Sequence, residues 1–207
     1  MTEASKLSHI AKDPQPARER VAFPGLVSDY YGIWPVNILL SILTIGIYAA
    51  WAKVRTQRFF LNNTSVFGSN FNYHATGMML LKGRLIVIAM IILAALMQTI
   101  FPGIAVVIAL AFIAFYPWAL HRSIAFNGRM TSWRNVRFSW HGQLGNAYLH
   151  FLIYPVLVVL TSLITLPMFT RSMQEYLVNH CSLGKRKFFA KTKTSSYYKA
   201  AFMALAF

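Results

Sequence analysis

Two apolar runs, Leu85 to Phe101 and Ile104 to Leu120, stand with only Pro102-Gly103 between them. Pro-Gly marks a tight turn, and two residues leave no room for an intervening domain. Each run approaches the roughly 20 apolar residues that a helix needs to cross a bilayer. Neither shows the polar face that a core helix of a water-soluble protein turns to solvent. The pair is therefore expected to form a transmembrane helical hairpin. Lys82 and Arg84 flank its start, His121 and Arg122 its end, and the turn itself carries no charge. Lys and Arg gather on the cytoplasmic side of a membrane protein, so the turn should face the periplasm.

Two more apolar segments, about Tyr31 to Ala50 and about Tyr148 to Phe169, flank this hairpin. Composition agrees with a chain whose solvent is partly lipid. Of its residues 57% are hydrophobic and 12% charged, where a soluble domain averages about 45–50% and about 25%. The expected class is an all-α, multi-pass helical membrane protein with four hydrophobic segments. Short cytoplasmic amphipathic helices, and strands where the pattern alternates, would join them. The expected divisions are a polar tail over 1–22, a membrane region over 23–142, and a further membrane segment with a basic stretch over 143–207.

Whether the first and fourth segments cross or dip in and return stays open at the level of sequence. Four crossings would divide the twenty basic residues eleven against nine, which gives no orientation. Re-entrant flanks would put all twenty on one side. Both flanking segments carry breaks: Pro35 and Thr44-Ile45-Gly46 in the first, Pro155 and Pro167 in the fourth. Irregular backbone at membrane depth needs protein or water around it, so such segments require packing partners.

Positions 51–74 recur at 118–141. Trp51-Ala52, Arg55, Phe59, Thr64-Ser65, Phe71 and His74 meet Trp118-Ala119, Arg122, Phe126, Thr131-Ser132, Phe138 and His141. A weaker third copy places Arg171, Tyr176, Asn179 and Gly184 against Arg55, Phe60, Asn63 and Gly68. Each copy reads as an amphipathic helix leaving the membrane with an aromatic residue at the interface and cations beyond it. The alternation in Val136 to His141 then predicts a half-buried strand. The closing run Ala200 to Phe207 is too short to span. It reads as the start of another membrane helix in a longer sequence.

Tyr30-Tyr31-Gly32-Ile33-Trp34-Pro35-Val36-Asn37 and the run Leu43 to Arg55, which reads LTIGIYAAWAKVR, carry a specific resemblance. So do Phe71-Asn72-Tyr73-His74-Ala75, Leu81-Lys82-Gly83-Arg84 and Ser132-Trp133-Arg134-Asn135-Val136-Arg137-Phe138. At these residues the chain resembles the YjgN-type bacterial inner-membrane proteins, clearly from about Phe23 to Gly142 and weakly afterwards. The resemblance implies a multi-pass protein of the bacterial inner membrane whose relatives are longer. It implies no activity.

The net charge is +15. In a soluble chain this would suggest nucleic acid; here topology and contact with anionic headgroups explain it better. Trp51, Lys53, Arg55, Arg58, Trp118, Arg122, Arg134 and Arg137 are the candidate interfacial and headgroup residues. Asn37, Thr44 and Gln98 are the candidate polar residues within the membrane, since amides are costly to bury there. The single cysteine, Cys181, rules out a disulfide within the chain. Met1 to Arg20 has no apolar core of a cleaved signal. No metal site, cofactor or catalytic set is expected. His74 and His141 occupy equivalent positions, but interfacial histidines have many other roles. Glu175 should pair with Arg171 one helical turn away. The expected partners are the bilayer and anionic headgroups, not nucleic acid, with a homo-oligomer left open. The expected function is structural or lipid-interacting and non-enzymatic. A small-solute transporter or channel built from repeats is the alternative.

Overall fold

The computed structural model describes residues 20–205. Of the polar tail, residues 1–19 lie outside the described residues. Helix α1 spans Val27–Leu43 and α2 Ala49–Asn62. Strands β1 (Ser65–Val66) and β2 (Ser69–Tyr73) follow, then α3 over Gly77–Ile100. A single tight turn at Pro102–Ile104 leads into α4, Ala105–Met130. Next come β3 (Thr131–Trp133), β4 (Val136–Trp140) and α5 (Leu144–Tyr148). A π-helical turn over Leu149–Ile153 joins α5 to α6, Tyr154–Leu160. The chain continues through α7 (Leu166–Asn179), β5 (Cys181–Leu183), β6 (Arg186–Lys187) and α8 (Thr194–Leu205).

The expected hairpin is α3 and α4, and these are the two described helices long and apolar enough to cross a membrane. At about 1.5 Å per residue, the 24 residues of α3 reach about 36 Å, more than a hydrocarbon core of about 30 Å. Their most apolar stretches are 0% and 6% buried, so most of these side chains are left uncovered by protein, as on a lipid-facing surface. Both helices extend beyond the apolar runs that announced them, α4 by ten residues to Met130, where it becomes amphipathic.

The flanking segments fold back on themselves. Phe23, just before α1, stacks on Phe60 near the end of α2, and Tyr30 in the first turn of α1 packs on Phe59 and Phe60, so the two helices run antiparallel. Likewise His150 bonds Ser172 and Tyr154 packs on Phe169, which sets α5–α6 against α7. The two reversals share one design. Ile45 and Gly46 take φ of 49° and 83°, and Ser162 and Leu163 take 48° and 69°. The Gly46 amide donates to the Ser41 carbonyl at 2.7 Å and the Leu163 amide to Val158 at 2.9 Å, closing each helix with left-handed residues. Thr44 Oγ1 donates to Leu40 and accepts from the Tyr48 amide. Thr161 Oγ1 shares a bond with Thr165.

The prolines do not make these breaks. Pro35 lies inside α1 without interrupting it, and Pro167 sits in the first turn of α7, where its missing N–H is no loss. Pro155 follows the π-helical turn, whose wider ring accommodates a residue that cannot donate. Ile45 is β-branched and held at positive φ, which is costly outside glycine. Ile45→Gly is accordingly expected to raise stability by about 1 kcal/mol in chemical denaturation. A loss of stability would show that the Ile45 side chain is needed at the tip.

The all-α expectation is incomplete. A six-stranded antiparallel sheet in the order β1 to β6 underlies the helices. It is made of three β-hairpins, each entered from a helix ending at Asn62, Met130 or Asn179. Phe67-Gly68 and Arg134-Asn135 have positive φ at both positions, the geometry of two-residue hairpin turns. Neighbouring hairpins pair through Tyr73 with Thr131 and Trp140 with Cys181. Ala22 bridges Ser65 on the outer edge of β1 in the same manner. Phe71, Phe138 and Phe188 stack in a ladder across the sheet at 6.1 Å spacings. The buried core lies between sheet and helices: Val54, Tyr73 and Ala75 in one cluster, Trp140, Ala147, Phe151 and Tyr176 in the other.

Candidate functional site

Polar groups inside an apolar helix need partners, and α1 contains one that has none. Asn37 is buried to 6% exposure, yet its side-chain oxygen accepts no hydrogen bond. Its position follows from the antiparallel packing of α1 on α2. That packing leaves an open cleft of about 360 Å³ between them, walled by Trp34, Asn37, Ile38 and Ser41 on α1 and by Ala52, Lys53 and Thr56 on α2. Ser41 Oγ is engaged, donating to the Asn37 carbonyl at 2.6 Å. Lys53 is exposed at the cleft wall. Ile42, which also lines the cleft, is 70% exposed, and Ile45 at the helix break beyond is 95% exposed. Among the described residues the other buried polar atom without a partner is Trp140 Nε1, which lies in a closed aromatic cluster and not in a cleft.

The remaining candidates separate by role. Arg58 clamps α2 to the sheet, donating to the carbonyls of Tyr73 and Ala75. Arg134 holds the first two β-hairpin turns together by donating to Phe67 O and Ser69 Oγ, and lies 4.5 Å over the Trp133 ring. Arg122 lies 5.6 Å over Trp118. Arg55 and Arg137 are exposed. Trp51 covers Gly77 so closely that a Cβ there would stand 2.5 Å from its ring. Of the membrane polar set, Asn37 lines the cleft and Thr44 closes the α1 helix beside it. Gln98 stands exposed near the far end of α3 and belongs to neither. Thr56 and Trp34 were missed in the sequence; alone, neither carries a signal.

The ion pair expected at one helical turn is present, Arg171 Nε to Glu175 Oε1 at 3.2 Å. The Thr192 amide first, and then Arg171, hold the Glu175 carboxyl below its usual range. The histidines are engaged separately. His74 Nε2 meets Ser132 Oγ at 2.7 Å, and His121 Nε2 meets the Gly142 carbonyl at 2.8 Å. Among the described residues no group of three or more His, Cys, Asp and Glu could hold a metal ion.

A family described as "Bacterial protein of unknown function (DUF898)" matches residues 18–207, nearly the whole chain. The chain belongs to the DUF898 family. Its relatives include the inner membrane protein YjgN of Salmonella typhimurium, 31% identical over 147 residues, which cover 70% of this chain and 37% of the relative. A protein of the same name from Escherichia coli is 28% identical over 141 residues, covering 67% and 35%. The match thus spans little more than a third of these relatives' length. This DUF898 protein, like them, is a protein of the bacterial inner membrane. No solved structure matches it.

Proposed function

We propose that the chain is a non-enzymatic membrane platform built from three copies of a helix–β-hairpin–helix unit, which presents cations to anionic headgroups at the cytoplasmic surface. In this reading α3 and α4 cross the bilayer, and the α1–α2 and α5–α7 hairpins enter from the cytoplasmic side and return. Length supports the second point. The arms of the first hairpin have 17 and 14 residues, about 25 and 21 Å, short of a crossing. The arms of the other, Leu144–Leu160 and Leu166–Asn179, match them.

The observation that carries the lipid reading is charge imbalance. Three of the twenty basic residues, Lys6, Lys12 and Arg18, precede residue 20. Against the other seventeen stand two carboxylates, Asp29 and Glu175, and the ion pair found among the described residues is Arg171–Glu175. A field so poorly neutralised attracts an anionic surface, at about 1 kcal/mol per cation close to it. Asp29 and Glu175 lie on different hairpins, which favours binding over general acid–base chemistry. A solute path through Asn37, Thr44 and Gln98 would need a conduit reaching the exposed surface of α3, and the clefts found here do not extend there.

Two measurements test this. In the Cys181→Ser background, single cysteines at Asn70, Gly103, Asn135 and Lys185 are treated in intact cells with an impermeant thiol reagent. Only position 103 is expected to label; labelling at 70, 135 or 185 refutes the arrangement. In reconstituted bilayers, spin-labelled phosphatidylglycerol should be held at the protein surface at least about twofold over phosphatidylcholine, a preference screened away in about 1 M salt. Equal retention of the two lipids at low salt would defeat the lipid reading.

A further inference from the structure

The α1–α2 cleft differs from its counterpart in a way that the hairpin fold does not require. Counting back from Thr44 and Thr161, the threonines at the two breaks, Asn37 corresponds to Tyr154 and Trp34 to Phe151. The second hairpin fills its groove: Phe151 is 9% exposed, and the space beside Tyr154 and Phe169 is about 120 Å³. The first hairpin leaves Trp34 49% exposed beside a cleft three times as large, and puts an amide where the other has a ring. The same helix–break–helix therefore closes without Asn37. An amide buried to 6% exposure with an empty acceptor is costly unless something donates to it.

Three properties fix the chemistry of that donor. Lys53 offers a positive charge, and Thr56 a hydroxyl, on the wall facing Asn37. Asn37 Oδ1 is occluded and has no donor, and a small rotation of the amide toward the cleft would let a hydroxyl supply one. Ile42 on the cleft wall is 70% exposed, and Leu43 and Ile45 at the adjoining helix break are 69% and 95% exposed, so the cleft adjoins an apolar surface suited to acyl chains. We infer that the α1–α2 cleft is a binding site for one anionic glycerophospholipid, its phosphate on Lys53, a headgroup hydroxyl donating to Asn37, and its chains leaving over Ile38 and Ile42. This rests on the lipid-facing reading above but differs from it. The exposed cations would hold a changing annulus, whereas the cleft would hold a single resident molecule.

The test separates the two. Protein purified in mild detergent is examined by native mass spectrometry for retained phospholipid, and by thermal unfolding with added phosphatidylglycerol, phosphatidylethanolamine or inorganic phosphate. The parent should retain one phosphatidylglycerol and be stabilised by it. Asn37→Leu and Lys53→Gln should each reduce retention at least fivefold and abolish the thermal shift. Lys53 is exposed, so Lys53→Gln keeps the fold; Asn37→Leu without lipid should be no less stable than the parent, because it removes an unmet acceptor. Arg55→Gln with Arg137→Gln should lower annular enrichment but leave the resident lipid. Undiminished retention in both cleft variants overturns the inference even if annular enrichment persists. A shift with inorganic phosphate alone would assign a free anion and overturn the lipid. An equal shift with phosphatidylethanolamine would overturn the anionic hydroxyl headgroup.

Discussion

Gly142→Val is expected to destabilise the fold by about 3 kcal/mol or more. A Cβ at position 142 would stand 2.3 Å from the Trp140 ring and 2.8 Å from the Tyr176 hydroxyl. Neither can retreat. Trp140 is 7% exposed and meets Tyr176 edge-on at 5.6 Å, with His121 5.0 Å away on another side. The Gly142 carbonyl is itself held by His121, so the backbone cannot swing aside. The check is chemical denaturation in mild detergent, followed by tryptophan fluorescence. Gly145, three residues on in α5, provides the control, because nothing lies within 4 Å of a Cβ there. Gly145→Ala should gain up to about 1 kcal/mol through helix propensity. If the two variants behave alike, the packing of β4 under α5 is not as described.

Trp140→Ala is the second large effect, expected at about 4 kcal/mol. Trp140 is where three elements meet: β4 carries it, α4 brings His121 against it, and α7 brings Tyr176, with His180 just past its end. Removing the ring leaves a cavity walled by side chains of two helices that are themselves held against the sheet, so it cannot close fully. Tyr176→Phe separates packing from hydrogen bonding, since only the bond from its hydroxyl to the Gln143 carbonyl, at 3.1 Å, is lost. That variant should lose about 1 kcal/mol. Both are read from the same denaturation curves. A Trp140→Ala loss as small as that of Tyr176→Phe would place the core elsewhere.

The hairpin at Pro102-Gly103 was legible because two residues between long apolar runs admit one geometry. Strand β4 was legible because Val136 to Trp140 alternates. Its counterpart in the repeat, β2 (Ser69–Tyr73), is polar at most positions and declares itself only through its equivalence to β4. Strands β5 and β6 carry no period of their own; Cys181–Leu183 is a strand because β4 lies beside it. The first reversal falls at Thr44-Ile45-Gly46, one of the two breaks that the sequence offered there, and the second at Thr161 to Leu163 and not at Pro155 or Pro167, because a left-handed pair with a hydroxyl to bond the freed backbone ends a helix where an early proline does not. As for the site, Asn37 stood out as an amide in an apolar run, and Lys53 as a headgroup contact. That one wall of a cleft faces the other depends on the angle at Ile45-Gly46, which no linear pattern encodes.

The three helical hairpins have tips free of charge: Thr44 to Tyr48, Phe101 to Ile104, and Thr161 to Thr165. In the two-crossing arrangement this decides how the chain enters the membrane. Each hairpin can slide in from the side where it is synthesised, and only the four residues of the middle tip have to be delivered to the far side. An elementary charge moved through 100 mV exchanges about 2.3 kcal/mol with the field. In the proposed two-crossing arrangement the described residues move none, so insertion should proceed equally well in energised and in voltage-collapsed vesicles.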